Sequence, residues 1–524
     1  MNRSIVLLAA IIFFAPYLGA QGLSRTYEIV YTNGKDTSAI EKLVIDNGRW
    51  TGDLATASGR LIWSFQETSP GMSGPLLLSA FQQKGDTLPS QRVMFTSSGN
   101  RMRADFQIPA PRTQAFPSRA GAFPLVNRSV ATLAFAVRRI PRGQAGSIPM
   151  FLTSGAATTE ANVSWRGDTA IVLLGALESR IVLDANGDLI LADVPAQNLR
   201  VTRITADDAA RVSLRASSYA APDGAPYEAT DVRISAPEGH VLAATLTRPS
   251  SAGVRVPVVI TISGSGPQDR DETLPVVSGF RPFRQIADSL GRRGVAVLRY
   301  DDRGVGQSTG SFDRATSADF ATDVRTVIAW LRGRSDVDPD RIFLLGHSEG
   351  GMIAPMVAAT DATIAGIVLL AGPAHTGREI IYSQQRFAID RDTSLKSPAA
   401  RNAAAARARR QLNATSYENN PWLGFLVSHD PLATARKVRA PSLVLQGETD
   451  RQITSDQAAL LGDALRAAGN TDVTLRVFPG LNHLFIADPD GDPSNYPRLS
   501  TGRVSNEVIG AIVDWVVART RPTP

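Results

Sequence analysis

Residues 344–355 read LLGHSEGGMIAP: two leucines, then Gly346, His347, Ser348, Glu349, Gly350 and Gly351, then an apolar run that suits a helix. A serine with glycines two positions before and two after it, set where a strand becomes a helix, has the form of a sharp elbow. The glycines remove side chains that would collide inside so tight a turn. The hydroxyl then stands at the apex, with the N-terminal end of the following helix behind it. On their own these residues also suit a small polar turn, so the neighbouring segments have to carry the reading.

Those segments alternate. YEATDVRISAPEGHVLAATLTRP (227–249) reads as a hairpin around Pro237, Glu238 and Gly239, and VPVVITISGSG (256–266) as a buried strand ending in glycines. FRPFRQIADSLGRRG (280–294) is an amphipathic helix pattern, followed by the strand VAVLRYDDRG (295–304) and the helix SADFATDVRTVIAWLRGR (317–334). After the elbow come the strands IAGIVLLAGP (364–373), APSLVLQGETD (440–450) and VTLRVFPGLNHLF (473–485), and a closing helix VSNEVIGAIVDWVVART (504–520). Strands alternating with helices predict a mostly parallel sheet covered on both faces. Residues 373–439 break the alternation with a mainly helical pattern. Lying between two sheet strands, they are expected to project over the carboxyl edge of the sheet as a cap.

The first part of the chain has another rhythm. RTYEIVYTNGKD (25–36), EKLVIDNGRWTG (41–52) and ESRIVLDANGDLILADV (178–194) pair short apolar runs across Asn-Gly turns, a hairpin signal. Residues 24–205 are therefore expected to form an antiparallel β-rich domain, with PAPRTQAFPSRAG (109–121) as a loop. Residues 206–226, rich in Ala, Ser, Pro and Asp, read as a linker, and 227–520 as the second domain. At the start, Arg3 precedes an apolar run over 5–15, then Pro16 and small residues. This is the pattern of a secretory signal peptide over 1–20, cut after Ala20. The run is shorter than the roughly 20 residues a membrane span needs. An exported protein, periplasmic or extracellular, is the expectation.

Composition narrows the function. The chain has 524 residues, a hydrophobic fraction of 43% and a net charge of +6. Arg401, Arg407, Arg409 and Arg410 sit among alanines, as on a solvated helix face, and no basic stripe with stacking aromatics predicts a nucleic-acid partner. There is no cysteine, hence no disulfide and no thiolate chemistry. The five histidines, His240, His347, His375, His429 and His483, show no metal-ligand spacing, and no P-loop pattern occurs. Neither a metal nor another cofactor is expected.

In open α/β sheets, ligands bind beyond the carboxyl ends of the strands, and the polar motifs fall there. A serine hydroxyl needs a base. His483, past the last strand, is placed to serve. His347 adjoins the serine but is expected to point away and pack, while His240, His375 and His429 read as surface or structural. The base needs an orienting carboxylate. Asp450 follows a strand end, with Glu448 as the near alternative. Charge developing on an acyl oxygen needs fixed N–H donors. The backbone N–H of Glu349 is one candidate, and that of Ser265 in the loop 263–266 the other, with Gly264 as its alternative.

Together these motifs carry a resemblance. Over residues 227–520, SGSGPQDRDET (263–273), LRYDDRGVGQSTG (298–310), GHSEGGMIAP (346–355), LQGETD (445–450) and PGLNHLF (479–485) resemble the α/β-hydrolase superfamily, in its bacterial serine esterase and serine-aminopeptidase-like branch. The order Ser348, Asp450, His483 matches that of the superfamily. Many relatives begin the oxyanion loop with His-Gly, where this chain has Ser263. The resemblance implies an α/β-hydrolase fold with a helical cap, and Asp301, Arg303, Gly304, Gly306 and Ser308 as structural residues beside the elbow. It also implies cleavage of small or medium acyl esters through an acyl-enzyme, the partner being a small-molecule ester. An amide-cleaving peptidase, with Glu349, Asp269 or Arg270 fixing a chain terminus, is the alternative. A thioesterase or lactonase, or a binding protein that keeps a hydrolase core, stands further off. Residues 24–205 lie outside the resemblance.

Overall fold

The computed structural model describes residues 24–520, apart from 34–35, 57–58, 82–85, 109, 127, 154–156, 176, 198, 206, 209–218, 251–254, 275, 278, 313, 415–419 and 468. The expected leader and the middle of the expected linker lie outside the described residues.

The described strands fall into two sheets that share no pairing. Sixteen strands between Arg25 and Ile204 form the first. They are antiparallel except where Phe123–Leu125 lies parallel to Gly146–Leu152. Arg25–Asn33 pairs with both Asp36–Asp46 and Leu199–Ile204, so the first strand is stitched to the last. Asn47 and Gly48 have φ of 48° and 73°. Such a pair of left-handed residues is what a two-residue hairpin requires, and Asn-Gly tolerates it best. One expectation is corrected here. Arg112–Pro117, read as loop, pairs with Arg101–Ile108 as an edge strand, a position where flanking prolines remove no ladder bond. Within the β-rich region, Val130–Val137 is a helix. It is apolar on every side, so it carries no amphipathic stripe to announce it. Its Phe135 packs against Trp50, Phe65 and Phe123 in the core of this sheet.

The second sheet comprises β1 (Tyr227–Ser235), β2 (Val241–Pro249), β3 (Val256–Ile262), β4 (Ala296–Tyr300), β5 (Val337–His347), β6 (Gly366–Leu370), β7 (Ser442–Gly447) and β8 (Val473–Phe478), in the order β1-β2-β4-β3-β5-β6-β7-β8. β1 and β2 are antiparallel, as are β2 and β4; the remaining pairs are parallel. Every residue of β4 and of β6 is buried, as expected for strands covered on both faces. One face packs against α2 (Ser317–Arg332), α3 (Gly350–Ala358) and α8 (Asp456–Ala467), through Val324, Ile353 and Leu461 among others. The other packs against α1 (Pro282–Gly291) and α9 (Asn506–Thr520), through Ile286 and Ile512. Among the described residues between β6 and β7 come four helices: α4 (Gly377–Arg391), α5 (Pro398–Ala414), α6 (Pro421–Ser428) and α7 (Pro431–Ala435). A Cβ on Gly377 would lie 2.5 Å from the Leu426 side chain, so α4 and α6 meet backbone to side chain.

Candidate active site

β5 delivers Ser348 to the carboxyl edge of the sheet, and α3 leaves from it. Ser348 has φ of +52°, a left-handed conformation that a non-glycine residue adopts only under constraint. The constraint is visible on both sides. The Ser348 N–H donates to the Leu370 carbonyl of β6 at 2.8 Å, and its carbonyl accepts the Gly351 N–H at 2.8 Å. A Cβ on Gly346 would sit 2.0 Å from the Gly350 carbonyl oxygen, and one on Gly350 2.1 Å from that of Ile262. Side chains are sterically barred at both positions, which is why the elbow is written with glycine there.

Past β7, Asp450 is buried and its carboxylate is fully engaged. Oδ2 lies 2.7 Å from His483 Nδ1 and accepts Gln446 Nε2 at 2.9 Å, while Oδ1 accepts the N–H groups of Gln452 and Ile453 at 2.8 and 2.9 Å. An ionised carboxylate only accepts, so Nδ1 of His483 carries the proton, and in the neutral ring Nε2 holds the lone pair. Glu448, the alternative acid, turns outward and accepts the Gly480 N–H at 2.9 Å.

The loop after β3 is held by two buried carboxyl groups. Ser263 Oγ and the Gln268 N–H donate to Asp302 at 2.8 and 3.0 Å. Burial pushes the Asp302 carboxyl well above the usual carboxylate range, against these two bonds. The Gly264 N–H donates to Glu272 Oε1 at 2.7 Å. Gly264 is thereby corrected as an alternative donor for an acyl oxygen, because its N–H is already taken. The N–H groups of Ser265 and Glu349 meet no acceptor among the described residues.

Three side chains behave in ways the sequence did not indicate. Glu349 is only 4% exposed. Its carboxylate accepts Ser317 Oγ from α2 at 2.6 Å and Trp422 Nε1 from α6 at 3.0 and 3.1 Å. The residue after Ser348 thus ties the cap to the sheet. His347 does more than pack: it bonds through both ring nitrogens, and its ring lies 4.9 Å, centre to centre, from that of His483. Glu272, its partner, carries no sequence signal of this contact. The other histidines serve structure: His240 Nε2 bonds Asp323 at 2.7 Å, and His429 Nε2 lies 3.2 Å from Thr434 Oγ1. His375 lies 3.6 Å from Asp456 at the base of the cap. Among the described residues no cluster of side chains suits a metal ion, and no helix is long and apolar enough to cross a membrane.

The sheet order, the two helical layers and the helices inserted after β6 define an α/β-hydrolase fold, and the chain is similar in sequence to the esterase and aminopeptidase-like branch of that superfamily. The family described as "Serine aminopeptidase, S33" matches residues 280–490. Esterase EstD of Thermotoga maritima is 27% identical over 299 residues, 56% of this chain and 69% of that protein. The monoglyceride lipase of Mus musculus is 29% identical over 258 residues, 45% of this chain and 78% of that one. Among solved structures, an esterase of Pyrococcus furiosus aligns at a TM-score of 0.40 and 15% identity, over 57% of this chain and 95% of its own.

Proposed function

We propose that the protein is a serine hydrolase that cleaves carboxylic esters of small or medium acyl groups. The observation that carries this reading is the Asp450–His483 bond of 2.7 Å past the ends of β7 and β8, together with a serine held at φ +52° at the end of β5. In this mechanism His483 Nε2 takes the proton from Ser348 Oγ as the oxygen attacks the acyl carbon. The N–H groups of Ser265 and Glu349 hold the oxyanion. His483 then protonates the leaving alcohol, and in the second half activates water to release the acid. Asp450 keeps the imidazole in the tautomer that has its lone pair on Nε2.

Esters are favoured over peptides by the state of the nearby charges. A peptidase needs a free charge to fix a chain terminus. Glu349 is spent on Ser317 and Trp422. Asp269 accepts the N–H groups of Asp271 and Thr273 and the Thr273 hydroxyl, and Arg270 is buried against Asp301. The names of the relatives, an esterase and a monoglyceride lipase, point the same way. Export rests on the leader pattern in 1–20.

The test is turnover of p-nitrophenyl esters of graded chain length beside an aminoacyl amide. The wild type is expected to cleave esters in preference to the amide. Ser348→Ala, folded, is expected to lose ester turnover and labelling by a fluorophosphonate. Comparable turnover in that variant would sink the assignment, and faster amide cleavage by the wild type would make it a peptidase.

A further inference from the structure

His347 ends β5, one residue before Ser348, and is 7% exposed. Its Nε2 lies 3.0 Å from the carbonyl oxygen of His483. A carbonyl only accepts, so Nε2 carries a proton. Its Nδ1 lies 2.9 Å from Glu272 Oε1, the same oxygen that accepts the Gly264 N–H. A peptide N–H pointing at that oxygen favours negative charge on it. Nδ1 then carries a proton as well, and an imidazole protonated at both nitrogens is a cation. Burial opposes that charge, but the Glu272 carboxylate, its hydrogen bond and the His483 carbonyl outweigh it and hold His347 above the usual histidine range. Oε2 of Glu272 meets no donor among the described residues. Glu272 also has φ of +54°. A non-glycine residue adopts that region only under constraint, a strain the surrounding bonds must hold.

We propose that His347 is a buried imidazolium which, paired with Glu272, acts as a positioning residue for His483. The pair joins three segments that must keep register during ester cleavage: the loop 263–266 through Gly264, the elbow through His347 itself, and the loop after β8 through the His483 carbonyl. Asp450 orients the His483 side chain, and His347 holds its main chain. The cation also lies beside the ring that takes the serine proton. Besides Glu272, the charged and titratable groups around it are His483 and Asp450, with Asp302 beyond Glu272 and Tyr496 beyond Asp450. Like charges close together in a buried site oppose each other. The proposal rests on the reading of Ser348, Asp450 and His483 given above.

The experiment uses the full chain. In histidine-selective 15N NMR, one of the five imidazoles is expected to keep both nitrogens protonated well above neutral pH. That signal should vanish in His347→Gln and lose its resistance to deprotonation in Glu272→Gln. In His347→Gln the amide still donates to the His483 carbonyl but carries no charge. The acid limb of its kcat/KM profile is expected to move up by roughly half to one pH unit, with KM nearly unchanged. A purely structural His347 would alter melting and leave the limb in place. An unmoved limb in the folded variant overturns the proposal. So does a wild-type His347 that deprotonates with the other histidines, a result that stands even if the variants do not fold. Fluorophosphonate labelling of wild-type Ser348 separates the two readings: without labelling the serine mechanism fails, and with labelling an unmoved limb removes only the role of His347.

Discussion

At the scale of single residues, the site depends on which carboxylate faces His483. Two candidates stand two positions apart after β7, and only the geometry separates them. Asp450 is buried with both oxygens engaged, one of them by His483. Glu448 faces outward and holds a loop N–H. Asp450→Asn is expected to lower kcat on the order of 10⁴-fold, because the amide cannot enforce the tautomer with Nε2 free. Glu448→Gln should stay within a few-fold. The opposite ranking in ester assays would move the acid to Glu448. Strand-end position explains how much of this was legible. A parallel sheet sends the residues after each strand to one edge, so Ser348, Asp450 and His483 are expected at the same edge without any knowledge of loop shape; of these the structure joins Asp450 to His483. Glu272 and His347 were illegible for the complementary reason. They are 75 residues apart, and their contact depends on a left-handed backbone at a glutamate, which no local preference indicates.

At the scale of elements, the cap was legible as a lapse in the strand–helix rhythm, and its attachment was not. Glu349 reads in sequence as a charge in a turn; its bond to Trp422 depends on how α6 packs against α2. Two donors from two helices, Ser317 Oγ and Trp422 Nε1, hold this carboxylate. Hydrogen bonds to a charged group contribute about 1.5–3 kcal/mol, enough to help fix where α6 rests. Trp422→Phe keeps most of the ring and removes the N–H, while Ser317 still satisfies part of Glu349. With the latch weakened, the room under α6 should grow. The kcat/KM ratio of octanoyl over acetyl esters is expected to rise about three- to tenfold, with acetyl turnover little changed. An unchanged ratio across the ester panel would show that this bond does not set the size of the acyl group.

At the scale of the whole molecule, the two sheets enclose separate cores: one drawn from Ile29 to Val201, the others from Ile234 onward. At the centre of the first is a group that alternation alone would place wrongly. Along Asp36–Asp46 the inward positions are Ala39, Glu41, Leu43 and Ile45, so a glutamate occupies an apolar register. It is tolerated because Trp63 Nε1 and Ser129 Oγ each donate to Oε1 at 2.7 Å and Tyr31 bonds Oε2. Ser129 comes from 88 residues away, at the start of the buried helix. Burial raises the Glu41 carboxyl above its ordinary 4.5, against the bonds from Tyr31, Ser129 and Trp63. For a raised value, the stabilising contribution is complete below the unfolded value and is lost as pH rises through the folded one. Glu41→Gln should therefore flatten the pH dependence of this unit's melting above about pH 4.5, since an amide accepts from Trp63 and Ser129 and donates to Tyr31. Glu41→Ala orphans three donors and is expected to cost about 3 kcal/mol. Separate cores predict that this loss falls on one calorimetric transition of the full chain, while a second transition and the thermal inactivation of ester turnover stay in place. If both transitions moved together with turnover, the first sheet would be stabilising the hydrolase through a shared cooperative unit.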